Sequence, residues 1–600
     1  MSKFLEQVHI SISSFSQNVI YYDLKLSQKM ADHHHFSFVW QYTGKAAINP
    51  TDQAAALSKH IGAEVIFTFK VKGIRLMSKG IIKGLQSIDL HGSPAGLHVT
   101  GISHTIVLDD MKKSRIFLEK NLQEIALEIF AEESSGEFYQ REAILPTFKK
   151  SFKYKPQYNE TSFDFMKRLS ARYGQWFYFD GMRMQFGQTK TSKIKLINGS
   201  SLHKFKIEAN LISHKTSFGG YDYNNASNIK NALEKTTSGS RDRFAIAVGF
   251  NQGSIARKGL SHGAYTNNAQ NKDEIDEMVR LQNAGRDANS IFYSGTSYLP
   301  IGLGQVFTIQ NQTVEHELIA IETIHHSGVN GNYSCEFKAI PADVTAPYYT
   351  DVESFKKAEN QPAKVIDNND PEGMGRIKVD FYWAGWSNTS DWMRMIQPHG
   401  GAGKGFYFLP ETGEEVQVSF EGCNVDCPYV SGTYYNGQES SGYNTPKNDI
   451  KAIHTRSGHI IKFTEDESII ITDKSGNEIH LDTTGSNINI TAPETMTLNC
   501  KNMNINVSEN MNTSVGRNIT ENAGADISQS SIGMISQIAG ADYLLMAKNI
   551  TKVASENYTA DAKDILRNAS GKIEAISVDE HILNSKGKVE NLSGEKSLNA

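Results

Sequence analysis

Apolar residues keep three different rhythms along this chain, and each predicts a different element. In residues 1–355 a two-residue alternation marks strands: EVIFTFKV (64–71) and LHVTGISHTIVL (97–108) carry β-branched and aromatic side chains in that pattern. A 3.6-residue rhythm replaces it in RIFLEKNLQEIALEIFAE (115–132), where Leu118, Leu122, Ile125, Ala126, Ile129 and Phe130 fall on one helical face. NETSFDFMKRLSARYG predicts a second helix, with Thr161 or Ser162 as N-cap and Gly174 as its stop. QWFYFDGMRMQF then reads as a hairpin turning at Asp180-Gly181. Strands dominate and helices are inserted, so residues 1–355 are expected to form a mixed β-barrel head.

From 356 to 440 the alternation shortens. RIKVDF, WMRMIQP, GFYFLP and EEVQVSF are brief alternating runs separated by turns rich in Gly and Pro, the spacing of a small five-stranded oligonucleotide/oligosaccharide-binding (OB) type of barrel. Its aromatic residues alternate as core residues do and the segment is not basic, so a structural barrel is expected and not a nucleic-acid binder.

The third rhythm has a period of eight and fills much of 441–600. Met503, Met511, Ile519, Ile527, Ile535 and Tyr543 keep it, and Val507, Val515, Ala523, Ser531, Ala539 and Ala547 repeat it with smaller side chains. Ile471 and Ile479, then Ile488 and Met496, show it upstream, and Ile550, Tyr558 and Leu566 resume it downstream. Heptads or hendecads would wind helices, but eight residues make one short strand and a turn. Each unit offers one or two apolar residues, too few for one chain to enclose a core, whereas a low-complexity tail has no reason to hold them in phase. Three chains wound about one axis satisfy both facts. The expectation is a mainly β protein ending in an intertwined trimeric β-helix or prism, with Met503, Met511, Ile519, Ile527, Ile535 and Tyr543 meeting at its centre. At one strand spacing of roughly 4.8 Å per octad, residues 450–600 would make a rod of roughly 90 Å.

Composition removes other readings. With 600 residues the chain exceeds one core, and its net charge of -5 gives no case for a nucleic-acid backbone as partner. MSKFLEQVHISISSF lacks the apolar stretch of a signal peptide, so assembly is expected in the cytoplasm, with any export through a dedicated apparatus. Four cysteines cannot staple a chain of this length. Cys423 and Cys427 form the one close pair, without the partner ligands zinc requires, and are expected to be reduced thiols at a strand end.

Several stretches resemble one family. YNETSFDFMKRLSARYGQWFYFD, SGTSYLPIGLGQVFTI, GRIKVDFYW, DWMRMIQPHGGAGKGFYFLPETGEEVQVSFEG and YVSGTYYNG, followed by an octad rod, resemble VgrG, the type VI secretion spike, which is similar to hub and needle proteins of contractile-tail phages fused in one chain. The resemblance implies a homotrimer at the tip of the apparatus that docks on a tube of Hcp-like rings and contacts baseplate components. It further implies a PAAR-type tip protein and effectors as cargo, and transient contact with a target-cell membrane. It implies no cofactor, and neither a fused toxin after the rod nor a lysozyme-like insertion is expected.

Candidate chemistry is sparse. His33, His34 and His35 are consecutive, so on a strand they point to opposite faces and do not easily share one metal; His325 and His326 are a weaker pair. Glu160 and Asp164 have the i, i+4 spacing of a solvated helix face, unlike glycosidase carboxylates that flank a bond across a cleft. No GxSxG elbow, HExxH or phosphate loop occurs. The expectation is therefore no enzyme, no metal site and no catalytic residue. The alternative is a cell-wall hydrolase resembling phage needles, and a free-standing trimeric adhesin would want a secretion signal or anchor.

Overall fold

The computed structural model describes residues 7–41, 50–90, 93–132, 140–213, 215–234, 239–250, 261–266, 269, 271–328, 332–383 and 388–594. The fold is mainly β and divides into two compact units, Met1–Glu494 and Thr495–Ala600.

The first unit is built on a 12-stranded sheet. Strand Glu64–Val71 buries Val65, Phe67, Phe69 and Val71 on one face, as its alternation predicts. Strand Tyr21–Lys29 pairs antiparallel with Val314–Ser327, joining segments far apart in sequence into one sheet. Phe36, Phe38, Trp40, Phe67, Phe69, Tyr293 and Phe307 fill the core beneath it. Among the described residues, no helix is long and apolar enough to cross a membrane.

The segment 115–132 departs from the single helix its pattern suggests. Lys113–Lys120 is a strand paired with Phe152–Glu160, and the helix runs only over Leu122–Ala131. Asn121 divides them: its side chain accepts from Gln123 N and Glu124 N, while Glu124 reaches back to the Asn121 amide in a capping box. Leu118 thus lies on a strand and packs against the barrel core. The second helix, Ser162–Arg172, starts at Thr161, whose Oγ1 accepts from Asp164 N, and Gly174 follows its C-cap at φ 61°. Hairpin Phe177–Phe179/Met184–Phe186 turns at Asp180, whose Oδ1 accepts from the amides of Met182 and Arg183.

The OB-type region is a sheet of four strands, ordered Lys378–Phe381, Gln361–Asp367, Glu415–Phe420, Pro428–Thr433. The five-stranded barrel expected from sequence is not closed by a further strand. WMRMIQP instead spans the two edges through single bridges, Met393 to Ile377 and Met395 to Val430. GFYFLP leaves the core in its first half: after the small hairpin Gly400–Gly401/Lys404–Gly405, Phe406, Tyr407 and Phe408 are exposed, and Leu409 returns to pack against the core.

The stretch 441–494 also differs from a continuous octad rod, for it belongs to the first unit as a five-stranded antiparallel meander over 450–491. Ile471 and Ile479 face each other across a hairpin, so their interval of eight is the length of that hairpin.

Candidate functional site

The meander has two unlike faces. Ile453, Ile461, Ile471, Ile479 and Ile490 form one row of directly paired residues across all five strands. Lys451, Phe463, Ile469, Leu481 and Ile488 form the row beside it. Opposed residues in a ladder share a face, so nine of these ten side chains make an apolar surface. Lys462, Ile470, His480 and Asn489 alternate to the other face. The apolar rows are uncovered: Ile453, Ile461, Phe463, Ile471, Ile479, Leu481, Ile488 and Ile490 are exposed, from 36% at Ile461 to 69% at Ile488. Among the described residues the meander's edge strands, Ile450–His454 and Asn487–Thr491, each pair on one side only.

The second unit carries the octads as a geometric repeat. Backbone bends fall at 508–509, 516–517, 524–525, 532–533, 540–541 and 548, then at 555–556, 563, 570–571, 578–579 and 586–587. Each glycine of this unit, at 516, 524, 533, 540, 571, 587 and 594, sits in such a bend. Met511, Ile519, Ile527, Ile535 and Tyr543 each lie two residues past a bend pair, and the smaller series ends each straight run just before the next bend. No strand ladder forms among the described residues of this unit, so these runs find no β partner in their own chain.

Exposure separates two sides of the repeat. Between Met503 and Leu566, one set of large apolar residues is 47% (Val515) to 64% (Met511) exposed and includes Met503, Ile519, Ile527, Ile535 and Tyr543. The other set, Ile532, Met534, Ile538, Leu544, Met546, Val553 and Leu566, is 83% exposed or more. Leu566, placed in the octad series by sequence, is therefore on the open side, and Ile565 at 57% takes its place. The repeat shortens to seven residues between Tyr558 and Ile565, which shifts the phase by one.

Beside the apolar packing of Ile116 and Leu118 on the barrel core, charged side chains also tie the barrel to the head. Lys155 Nζ lies 2.7 Å from Asp426 Oδ2, and beside it Arg168 forks onto Glu160 through Nη2 at 2.7 Å and Nε at 3.2 Å. Burial alone would push the Asp426 carboxyl up, but Lys155, then Arg168 and Arg172, hold it below the usual carboxylate range. Glu160, read from sequence as part of a solvated helix face, instead ends a strand and is buried against Arg168. In a second contact, the Arg394 guanidinium lies 4.4 Å from the ring centroid of Tyr223, which comes from a head hairpin.

The three consecutive histidines part company. His33 binds Thr105 Oγ1 through Nδ1 at 2.6 Å and Asp109 Oδ2 through Nε2 at 2.7 Å, and Asp109 Oδ1 accepts from Thr161 Oγ1. This resembles a hydrolytic triad in outline, but Thr105 is fully buried and the chain of bonds ties a turn to a helix cap. His34 is buried and reaches Gln28, which also meets His325, while His35 is exposed. His326 lies 3.9 Å from Glu336 at the surface. Cys335 and Cys427 are buried, and Cys423 and Cys500 are exposed and free. Cys423 sits in the turn before strand Pro428–Thr433, and Asn424 Nδ2 donates to Cys427 Sγ at 3.5 Å. The barrel–head ties were not legible in sequence, since Lys155 and Asp426 stand far apart and neither belongs to a motif.

Two family models match: a phage tail baseplate hub over residues 45–331 and a type VI secretion system/phage-baseplate injector OB domain over residues 361–435. The chain is 23% identical over 464 residues to the type VI secretion system spike protein VgrG1a of Pseudomonas aeruginosa, covering 68% of this chain and 67% of that protein. Together these matches make the chain similar to the VgrG spike proteins. A second of them, VgrG1c of the same organism, is 23% identical and matches 61% of this chain and 53% of its own length. The actin cross-linking toxin VgrG1 of Vibrio cholerae is 23% identical but matched over only 37% of its length, against 63% of this chain. The match thus spans between about a third and two thirds of these VgrG relatives. In fold the chain is similar to a chain of the Francisella PdpA-VgrG complex, with a TM-score of 0.52, 9% identity and coverage of 82% of this chain and 81% of that one.

Proposed function

We propose that this chain is the spike of a contractile type VI secretion apparatus and works as a homotrimer. The observation that carries the reading is the apolar face of the meander, continued in sequence by octads without a β partner. Covering the exposed part of one isoleucine contributes roughly 1 kcal/mol, so a face of this size favours association strongly. Three copies about one axis bring the meander faces together and bring Met503, Met511, Ile519, Ile527, Ile535 and Tyr543 to the centre, and neighbouring chains supply the missing strand partners.

In this reading the head docks on an Hcp-like tube and on baseplate components, and the octad unit transmits axial force to a target-cell membrane. A PAAR-type tip protein and effectors travel with it. Assembly is cytoplasmic, and export proceeds through the apparatus. The chain acts mechanically and as a carrier, and not as an enzyme. Light scattering tests the assembly: a mass of roughly 200 kDa is expected, three times the chain mass of 66.6 kDa. A well-folded monomer at micromolar concentration overturns the proposal. Clearing of purified murein by the intact protein overturns the non-enzymatic part.

A further inference from the structure

The half-shielded side of the octad unit is not apolar throughout. Two residues past the large apolar residue of each repeat, the chain returns to the same side, and three of these positions are ionisable: Glu521 after Ile519, Lys552 after Ile550 and Arg567 after Ile565. Two contacts establish where such residues point. Tyr543 OH donates to Gln537 Oε1 at 2.8 Å, and Lys552 Nζ donates to Tyr558 OH at 3.3 Å with its ammonium 5.5 Å from that ring's centroid. Gln537 and Lys552 each follow their apolar residue by two, and each meets the large residue of the next repeat. Arg567 holds the equivalent place, but its next neighbour is Ile573, which offers no acceptor. Among the described residues Arg567 makes no hydrogen bond or ion pair.

The available acids alternate to the other side. Asp561 and Asp564 stand an odd number of residues from Tyr558 and Ile565 respectively, and Lys572 pairs with Glu574 along its own run at 2.7 Å. Glu521 lies four repeats from Lys552, roughly 20 Å at one strand spacing per repeat. The positions between the two cations on their side are Ala554, Tyr558, Ala560, Ala562 and Ile565, and the three alanines leave space beside the two larger side chains.

We propose that in the trimer Lys552 and Arg567 of the three chains form two cationic rings on the axis, and that a small inorganic anion is enclosed between them. The inference rests on the trimeric reading above. Threefold symmetry sets three like charges at each level, and the levels are two repeats apart, roughly 10 Å. Lysine can shed its proton when buried, but arginine cannot, so the Arg567 ring requires a counter-charge. The small residues provide its room, and an anion supplies the charge that no inward carboxylate does.

The test uses the full chain in gluconate, an anion too large to be enclosed, at constant ionic strength. Replacing gluconate with bromide, or adding inorganic phosphate, should raise the melting temperature of the wild-type trimer by several degrees. The Lys552→Met/Arg567→Met variant should lose that response, whereas Lys572→Met/Lys588→Met should keep it. An equal response in all three proteins, or none in the wild type, overturns the inference. A bromide anomalous peak on the threefold axis between Lys552 and Arg567 is the second readout and needs no variant; an axis empty at that level overturns the proposal. Light scattering on the same samples separates the failures: a wild-type monomer removes the trimer itself, and a trimer without an anion response removes only the site.

Discussion

Lys155 and Asp426 meet at 2.7 Å although 271 residues separate them, and both are largely buried where the head receives the barrel. A buried pair of this kind is costly to break from one side, because the surviving charge loses its partner without regaining water. Lys155→Met alone should destabilise the first unit by about 3–5 kcal/mol. Lys155→Met combined with Asp426→Leu should recover much of that loss. Denaturant unfolding of the four proteins in a double-mutant cycle measures the coupling. Additive single effects would show that the pair does not hold the two parts together.

Acid should loosen the head through two histidines. Burial, followed for His34 by the neighbouring His33, His325 and His35 charges and for His325 by His326, pushes both imidazoles down to about 3 from an ordinary 6.5. A depressed histidine binds its proton more readily in the unfolded chain, so stability is fully present above pH 6.5 and declines as pH falls toward 3. At pH 5 the two together should cost on the order of 4 kcal/mol, from about 1.4 kcal/mol per pH unit each. Denaturation midpoints at pH 7.5, 6 and 5 check this, and His34→Gln/His325→Gln should flatten the profile over that interval. Asp426, with its carboxyl held low, adds its own loss only below about pH 4.

These buried contacts mark where sequence reading stops. The period was legible, because a spacing of eight held through large side chains leaves few architectures. The bends fell where the repeats required them, and Gly516, Gly524 and Gly540 sit in them. Single residues that reset a pattern were harder to see. Asn121 divides a run that reads as one helix, since its cap satisfies two amides at the point where a strand ends. Glu160 shares i, i+4 spacing with Asp164, but Thr161 starts the helix after it and leaves it free to pair with Arg168. Ile471 and Ile479 keep the octad interval and yet oppose each other, because hairpin length and repeat length coincide there.

The phase of the octads can be tested one residue at a time. Ile519→Asp or Ile527→Asp would place three carboxylates at the proposed axis, each costing several kcal/mol, and trimer melting should fall sharply. Asn518→Asp, adjacent but alternating to the other side, should be mild. A finer pair follows from the seven-residue step: Ile565→Asn should destabilise the trimer and Leu566→Asn should not. The reverse result would restore the unbroken period of eight and displace Ile565 from the core.

The division of the chain at Glu494 shortens the rod that the octads can build. Bends run from 501 to 594 and enclose twelve repeats, whereas the meander over 450–491 forms its strands within one chain. In a three-start winding each repeat rises by one strand spacing, since the other two chains fill the gaps. Twelve repeats then give roughly 58 Å, against the roughly 90 Å that unbroken octads from residue 450 would give. Negative-stain microscopy of the purified trimer should show a narrow projection of the shorter length. Deleting residues 533–548, two whole repeats that keep the phase on both sides, should shorten it by roughly 10 Å and leave the mass trimeric. A projection of unchanged length, or three separate thin tails, would mean that the octads do not wind around a common axis.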